Sequence, residues 1–258
     1  MRIALSVEYD GSAYCGWQLQ AHSPSVQAVL EKALSGIACE PIRVVAAGRT
    51  DTGVHALGQV VHFDTSAERP QRAWLRGANT LLPGDVRIIG AREVADDFHA
   101  RFSALSRSYR YLILNRPQAP AVGHERVAWE PRPLDAQAMH AAAQSLLGEH
   151  DFSAFRAAAC QSRSPWRNLL QLDVRRHGPW LVIDARANAF LHHMVRNLVG
   201  TLLDIGTGDQ PVEWASRLLA GRDRTQAGRT APAAGLYLTA VQYPPHFGVE
   251  PPPPLLPV

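Results

Sequence analysis

The sequence predicts an α+β protein in two halves, on three observations. Short β-branched or alternating runs recur between amphipathic helical stretches, the mixture expected of an α+β fold. A proline-rich, unpatterned stretch from Pro117 to Pro133 breaks that rhythm near the middle and separates residues 1–116 from 134–243. Gln27-Ala28 and Gln137-Ala138 stand alike near the starts of two helices, a local echo of duplication. With 258 residues, 46% of them hydrophobic, the chain can bury real cores and is not a disordered sequence.

The elements follow in order. Ile3, Leu5, Val7 and Tyr9 alternate with Ala4, Ser6 and Glu8, which reads as a half-buried strand ended by Asp10-Gly11-Ser12. Val26, Val29, Leu30, Ala33, Leu34 and Ile37 make a helical stripe over Ser25 to Ile37. Strands over Ile42 to Val45 and Gln59 to Phe63 flank a polar, glycine-bounded loop. A helix from Gln71 to Leu82 stops at Pro83-Gly84, and Val86 to Val94 is a further strand. In Ser108 to Leu114, Tyr109, Tyr111 and Ile113 face one way and Arg110, Leu112 and Leu114 the other. The second half opens with a helix over Asp135 to Leu147. A hairpin of Leu169 to Arg175 and Trp180 to Ala185 follows, turning at His177-Gly178-Pro179. Phe190 to Gly200 reads as a buried helix with His192 and Arg196 one turn apart on one face, Val212 to Leu219 as a last helix, and Gly235 to Val241 as the closing strand. Residues 244–258 hold seven prolines and are expected to be extended, mobile and dispensable.

Composition excludes several classes. No apolar run approaches the ~20 residues that span a bilayer, and the alternating N-terminus lacks the apolar core of a signal peptide, so a cytoplasmic protein is expected. Cys15, Cys39 and Cys160 are too few and too far apart for a disulfide framework or a zinc site. His192-His193 has no third ligand at metal spacing, so packing or hydrogen bonding is the better reading there. No P-loop, dinucleotide fingerprint or Ser-His-Asp pattern is present, and no cofactor is implied. Lys32 is the one lysine among 26 basic residues. Arg101 to Arg116 holds four arginines and no acid, and Arg156 to Arg167 three and no acid. Such local excess fits a phosphate-rich partner, and fits a solvated arginine face equally well.

The chemistry centres on Ala47-Gly48-Arg49-Thr50-Asp51-Thr52-Gly53-Val54-His55-Ala56. It offers one carboxylate, Asp51, with the Arg49 guanidinium two residues before it. A carboxylate beside a cation stays ionised, as suits a nucleophile or base. Asp-Thr-Gly is also an ordinary turn former. The two-carboxylate mechanism of aspartic proteases needs a second such loop or a dimer partner, and the chain has no second copy. In the apolar Phe190 to Gly200 segment, Arg196 needs a partner, and Asp51 is the best candidate.

Taken together, Gly48 to His55, Glu8-Tyr9-Asp10-Gly11 with Gly16-Trp17-Gln18, and Phe98-His99-Ala100-Arg101-Phe102-Ser103-Ala104 resemble the tRNA pseudouridine synthases of the TruA type. So do Tyr109-Arg110-Tyr111, Gln161-Ser162-Arg163 with Pro165-Trp166-Arg167, Phe190 to Gly200, and Gly235-Leu236-Tyr237-Leu238. The resemblance runs from Ile3 to about Tyr243, leaving the proline-rich tail and the central connection idiosyncratic. It implies two similar α/β halves sharing a largely antiparallel mixed sheet with the active-site cleft between them. The implied reaction is isomerisation of uridine to pseudouridine at positions 38, 39 and 40 of the tRNA anticodon stem-loop, without a cofactor or a metal. By the same resemblance Asp51 is the catalytic carboxylate, Tyr109 stacks on the target base, Arg49 engages the RNA and Arg196 pairs with Asp51. Phe98, His99, Ala100, Arg101, Phe102, Gln161, Ser162, Arg163 and Arg69 form the implied RNA-contacting set. A homodimer acting on tRNA is the implied assembly.

Overall fold

A computed structural model describes residues 1–253. In chain order its elements begin with β1 (Arg2–Tyr9), α1 (Val26–Ala38), β2 (Val45–Ala46) and β3 (His55–Asp64). A π-helical turn (Ala73–Gly77) runs into the short α2 (Ala78–Leu81), followed by β4 (Val86–Val94), β5 (Ser106–Asn115) and β6 (Ala128–Glu130). Then come α3 (Ala136–Gln144), β7 (Gly148–Asp151), β8 (Trp166–His177), β9 (Trp180–Ala187), α4 (Met194–Gly206), α5 (Trp214–Gly221) and β10 (Leu236–Gln242). The α+β class expected from the alternating patterns is found. No helix among the described residues is long and apolar enough to cross a membrane.

The chain divides into two compact units. One comprises Met1–Ser106 and the described chain from Tyr237 onward, the other Arg107–Leu236. In the first, β4, β1 and β3 lie side by side and antiparallel, and β10 joins β3 in parallel at Tyr237 and Leu238. Leu5, Val7, Val60 and Val61 are buried in this sheet, and Leu30 and Leu34 of α1 are buried as well. Ser25 caps α1, its Oγ accepting from the Ala28 N–H at 3.3 Å. In the second unit β5, β9, β8 and β7 form an antiparallel run, with β6 parallel to β5. Asp135 caps α3 by accepting from Gln137 and Ala138 N–H. The Gln-Ala echo therefore marks the first turn after a side-chain cap in both helices.

Several elements depart from the sequence expectation. The strand over Ile42 to Val45 shrinks to β2, because Ile42 N–H donates to Ser35 Oγ and Val44 N–H to Glu31 Oε1 instead of to a neighbouring strand. The helix over Gln71 to Leu82 is widened into a π-turn that buries Trp74 edge-on against Phe63, 5.2 Å between ring centres. The helix expected from Phe190 begins only at Met194, since His193 takes a left-handed φ of 60°, and it runs on to Gly206. His192 therefore lies outside the helix that carries Arg196 and does not share its face. The central connection contains β6, and β7 was not anticipated. The tail turns at Pro245–Phe247, with Phe247 edge-on to Phe98 at 5.2 Å, so at least this part is held by an aromatic contact. Residues 254–258 of the expected mobile tail lie outside the described residues.

Candidate active site

Asp51 sits half-buried in the loop between β2 and β3. Ala47 N–H donates to Val60 O at 2.8 Å, and the fully buried Gln59 donates from Nε2 to Gly48 O at 2.7 Å. Thr50 is pinned twice. Its Oγ1 shares a buried hydrogen bond with Tyr9 Oη at 2.8 Å, and its carbonyl accepts from Trp17 N–H at 3.0 Å. A turn closes from Val54 N–H to Asp51 O at 3.1 Å, with Gly53 at φ 75°.

Two glycines outside the loop complete its seat. A Cβ on Gly11 would overlap the Val54 carbonyl, and one on Gly16, itself at φ 88°, would lie 2.7 Å from Thr50 O. The Glu8-to-Gly11 and Gly16-Trp17 segments, which the sequence left without a role, are thus the mould for the Asp51 loop. Below it, His55 Nδ1 accepts from Gly11 N–H at 3.1 Å, while its ring stacks on Tyr237 at 4.7 Å. Asp10 Oδ1 is 3.1 Å from the same nitrogen. Arg49 is exposed and forms no ion pair with Asp51 among the described residues, so the loop's conformation owes nothing to that neighbour.

In the same unit, the segment Phe98 to Phe102 has an enclosed and an open side. Phe98 and Ala100 are fully buried, while His99, Arg101 and Phe102 reach solvent, Phe102 being 75% exposed. Ala100 is fixed by its N–H donating to His62 Nδ1 at 3.1 Å and by its carbonyl accepting from Tyr243 Oη at 2.6 Å. His99 Nδ1 accepts from the N–H groups of Arg101 and Phe102, both at 3.2 Å, and its ring stacks on Phe102 at 4.4 Å. Arg101 lies 5.5 Å from the Phe102 ring centre. Burial, then the His99 and Arg2 charges, hold His62 down at a pKa of about 4, and burial followed by Arg2 lowers that of His99. Arg69 is exposed and closes the end of α1, donating from Nε to Ile37 O at 3.0 Å.

In the second unit, Tyr109 is half-buried on β5 with Phe190 edge-on at 5.1 Å. Arg196 is half-buried in the first turn of α4, and its Nε donates to Ala231 O at 2.8 Å. The loop of Gln161, Ser162 and Arg163 is strung on two arginines. Arg156 Nη2 donates to Cys160 O at 2.8 Å and Ser162 O at 2.7 Å, and Arg167 donates to Ser162 Oγ at 2.7 Å and Ser164 O at 3.0 Å. Arg163 and Gln161 are exposed. Of three arginines that the sequence marked as an excess of charge, two are therefore turned inward on the loop's own oxygens. Likewise Arg107 donates to Asn188 O and Arg110 pairs with Asp184 at 2.7 Å.

A segment that sequence reasoning passed over, Arg229 to Ala234, runs beside Arg196. Ala231 N–H donates to Arg196 O at 3.0 Å, and Tyr111 Oη donates to Pro232 O at 2.8 Å. The available signal was the paired Gly228 and Gly235, where added Cβ atoms would collide with Asp204 Oδ2 and with Leu112 O.

The tRNA pseudouridine synthase family profile matches residues 5–103 and 142–244. The chain is 60% identical to the tRNA pseudouridine synthase A of Hydrogenovibrio crunogenus over 245 residues, 95% of this chain and 94% of that protein. It is 57% identical to the protein of that name from Escherichia fergusonii over 252 residues, covering 98% and 93%. The same coverage holds for the Salmonella paratyphi B protein, at 58% identity.

Proposed function

Since this chain belongs to the tRNA pseudouridine synthase family, we propose that it isomerises uridine at positions 38, 39 and 40 of the tRNA anticodon stem-loop with Asp51 as the catalytic carboxylate. The observation that carries the reading is the seat of Asp51: a half-buried carboxylate on a loop pinned at Gly48, Thr50 and Val54. In the isomerisation the C1′–N1 bond breaks, the uracil turns, and a C1′–C5 bond forms. The C5 proton leaves and N1 gains one, so nothing is oxidised or hydrolysed. Attack on the sugar, attack on the base and removal of a sugar proton are the three available first steps, and each needs an ionised carboxylate at a fixed position.

In this reading Tyr109 stacks on the target base, Arg196 orients Asp51 and Arg49 engages the RNA beside it, the two halves contributing to one cleft over a shared sheet. His99, Arg101, Phe102, Gln161, Ser162, Arg163 and Arg69 offer the RNA their exposed atoms, with Phe98 and Ala100 anchoring the first three from within. A base in a stem must leave its stack, at a cost of a few kcal/mol. Arginine–phosphate contacts and stacking on Tyr109 offset that cost. A cytoplasmic homodimer is part of the proposal.

Asp51→Asn tests it. Tritium release from tRNA labelled at uridine C5 should fall by roughly ten-thousand-fold, while tRNA affinity persists. Normal turnover by this variant would remove Asp51 from the chemistry, and absence of release by the unmodified protein would leave a tRNA-binding protein without catalysis.

A further inference from the structure

We propose that Asn197, Thr230 and Arg224 are positioning residues that fix the Arg196 guanidinium for catalysis; the inference rests on the reading of Arg196 given above. A free arginine side chain samples many rotamers, and holding one costs entropy that the fold must offset. Here Arg196 is held at both ends by a single residue, since Ala231 O accepts from its Nε at 2.8 Å and Ala231 N–H donates to its carbonyl at 3.0 Å. Because the guanidinium is planar, a fixed Nε–H direction sets the orientation of the whole fork.

Ala231 must then itself be immobile. On one side Thr230 Oγ1 donates to Asn197 Oδ1 at 2.7 Å. On the other, Pro232 restricts its backbone to extended angles and is tied by Tyr111 Oη at 2.8 Å. Arg224 Nη2 closes the group by donating to Asn197 Oδ1 at 3.0 Å and Thr230 Oγ1 at 3.2 Å. Asn197 Nδ2 reaches Phe155 O at 2.8 Å. Gly200, one turn along α4, leaves room for Arg229 O to lie where a side chain would otherwise be.

The choice of asparagine argues for a purpose beyond stability. Position 197 is fully buried, and its helix neighbours Val195, Leu198, Val199, Leu202 and Leu203 are buried and apolar. A polar side chain there is tolerated only when its donors and acceptors are met. Both ends of its carboxamide are used, and its oxygen meets the strap that carries Ala231.

The test is single-turnover tritium release by the full-length protein, with tRNA binding and the NMR order of the Arg196 ¹⁵Nε–H measured alongside. Thr230→Val, nearly isosteric, should slow release roughly 10- to 100-fold, leave tRNA affinity within about twofold, and mobilise the Arg196 Nε–H. Thr230→Ser, which keeps the hydroxyl, should restore the rate and the order. Arg224→Gln, a milder lesion at a residue outside α4, should fall between them and covers the case that Thr230→Val does not fold. In an Arg196→Ala background Thr230→Val should add no further loss. A Thr230→Val enzyme with near-normal rate and an ordered Nε–H overturns the proposal, as does an equal loss in both backgrounds. If Arg196→Ala itself keeps the normal rate, the assignment of Arg196 fails instead, which the Nε–H order separates from a failure of the strap.

Discussion

The two units fix their candidate loops with opposite chemistry. In the first, histidine rings accept backbone N–H groups: His55 from Gly11, His62 from Ala100, and His99 from Arg101 and Phe102. In the second, arginines donate to backbone carbonyls: Arg156 to Cys160 and Ser162, Arg167 to Ser164, Arg196 to Ala231 and Arg107 to Asn188. The partition is not absolute, since Arg2 also donates to Phe98 O in the first unit. The difference lies in what can undo each latch. A histidine that accepts at Nδ1 loses its acceptor when it is protonated, whereas a guanidinium keeps its charge at any pH a protein survives. The comparison also shows why counting arginines overstates a basic face, because several are spent on the chain's own oxygens.

The largest effect should come from breaking the seat of the Asp51 loop. Gly11→Ala drives a methyl group into the Val54 carbonyl, which is backbone and cannot swing aside. Denaturant titration should show a loss of about 3 kcal/mol or more, with pseudouridine formation falling in parallel. A stable, active variant would mean that the Asp51 loop tolerates movement.

Acid should separate the units next. His62 has a folded pKa of about 4 against 6.5 ordinarily, so between those values the unfolded chain binds the extra proton and the folded one resists it. Stability is therefore whole above pH 6.5 and falls as pH drops toward 4, by on the order of 2–3 kcal/mol for this group. His62→Asn keeps an acceptor for Ala100 N–H but cannot titrate, and should flatten that limb of the pH–stability curve. An unchanged curve would show that His62 is not the latch that acid opens.

The smallest effect belongs to Arg156→Gln, which shortens the reach to Cys160 O and Ser162 O. It should cost about 1–2 kcal/mol and speed amide exchange across residues 157–164, equally at pH 5 and pH 8. A pH-dependent loss would contradict the division between the two kinds of latch.

Much of this was legible in the chain. Strand alternation located β1, β4, β5, β8 and β9 to within a few residues, because period-two burial is a local property. The loop from Gly48 to His55 stood out through its glycines and single carboxylate. Where reading failed, a long-range contact had replaced a local one. Val44 N–H met Glu31 in place of a strand partner, His193 turned left-handed where an apolar run promised helix, and Phe247 settled against Phe98 in a tail that composition marked as loose. Arg196 drew attention as a charge in an apolar segment, but nothing nearby in sequence announced Ala231 as its partner.

The sequence by itself determined the α+β class, the order of the main elements and the loop that carries Asp51, since periodicity, turn residues and glycine spacing act over a few positions. Only the tertiary structure decided which arginines face outward and which grip carbonyls, which backbone N–H groups the histidine rings accept, and that the Thr230 to Pro232 strap holds Arg196. The grip on Arg196 depends on donors meeting acceptors 33 and 35 residues away in the chain, and pairing at that distance is a matter of folded geometry.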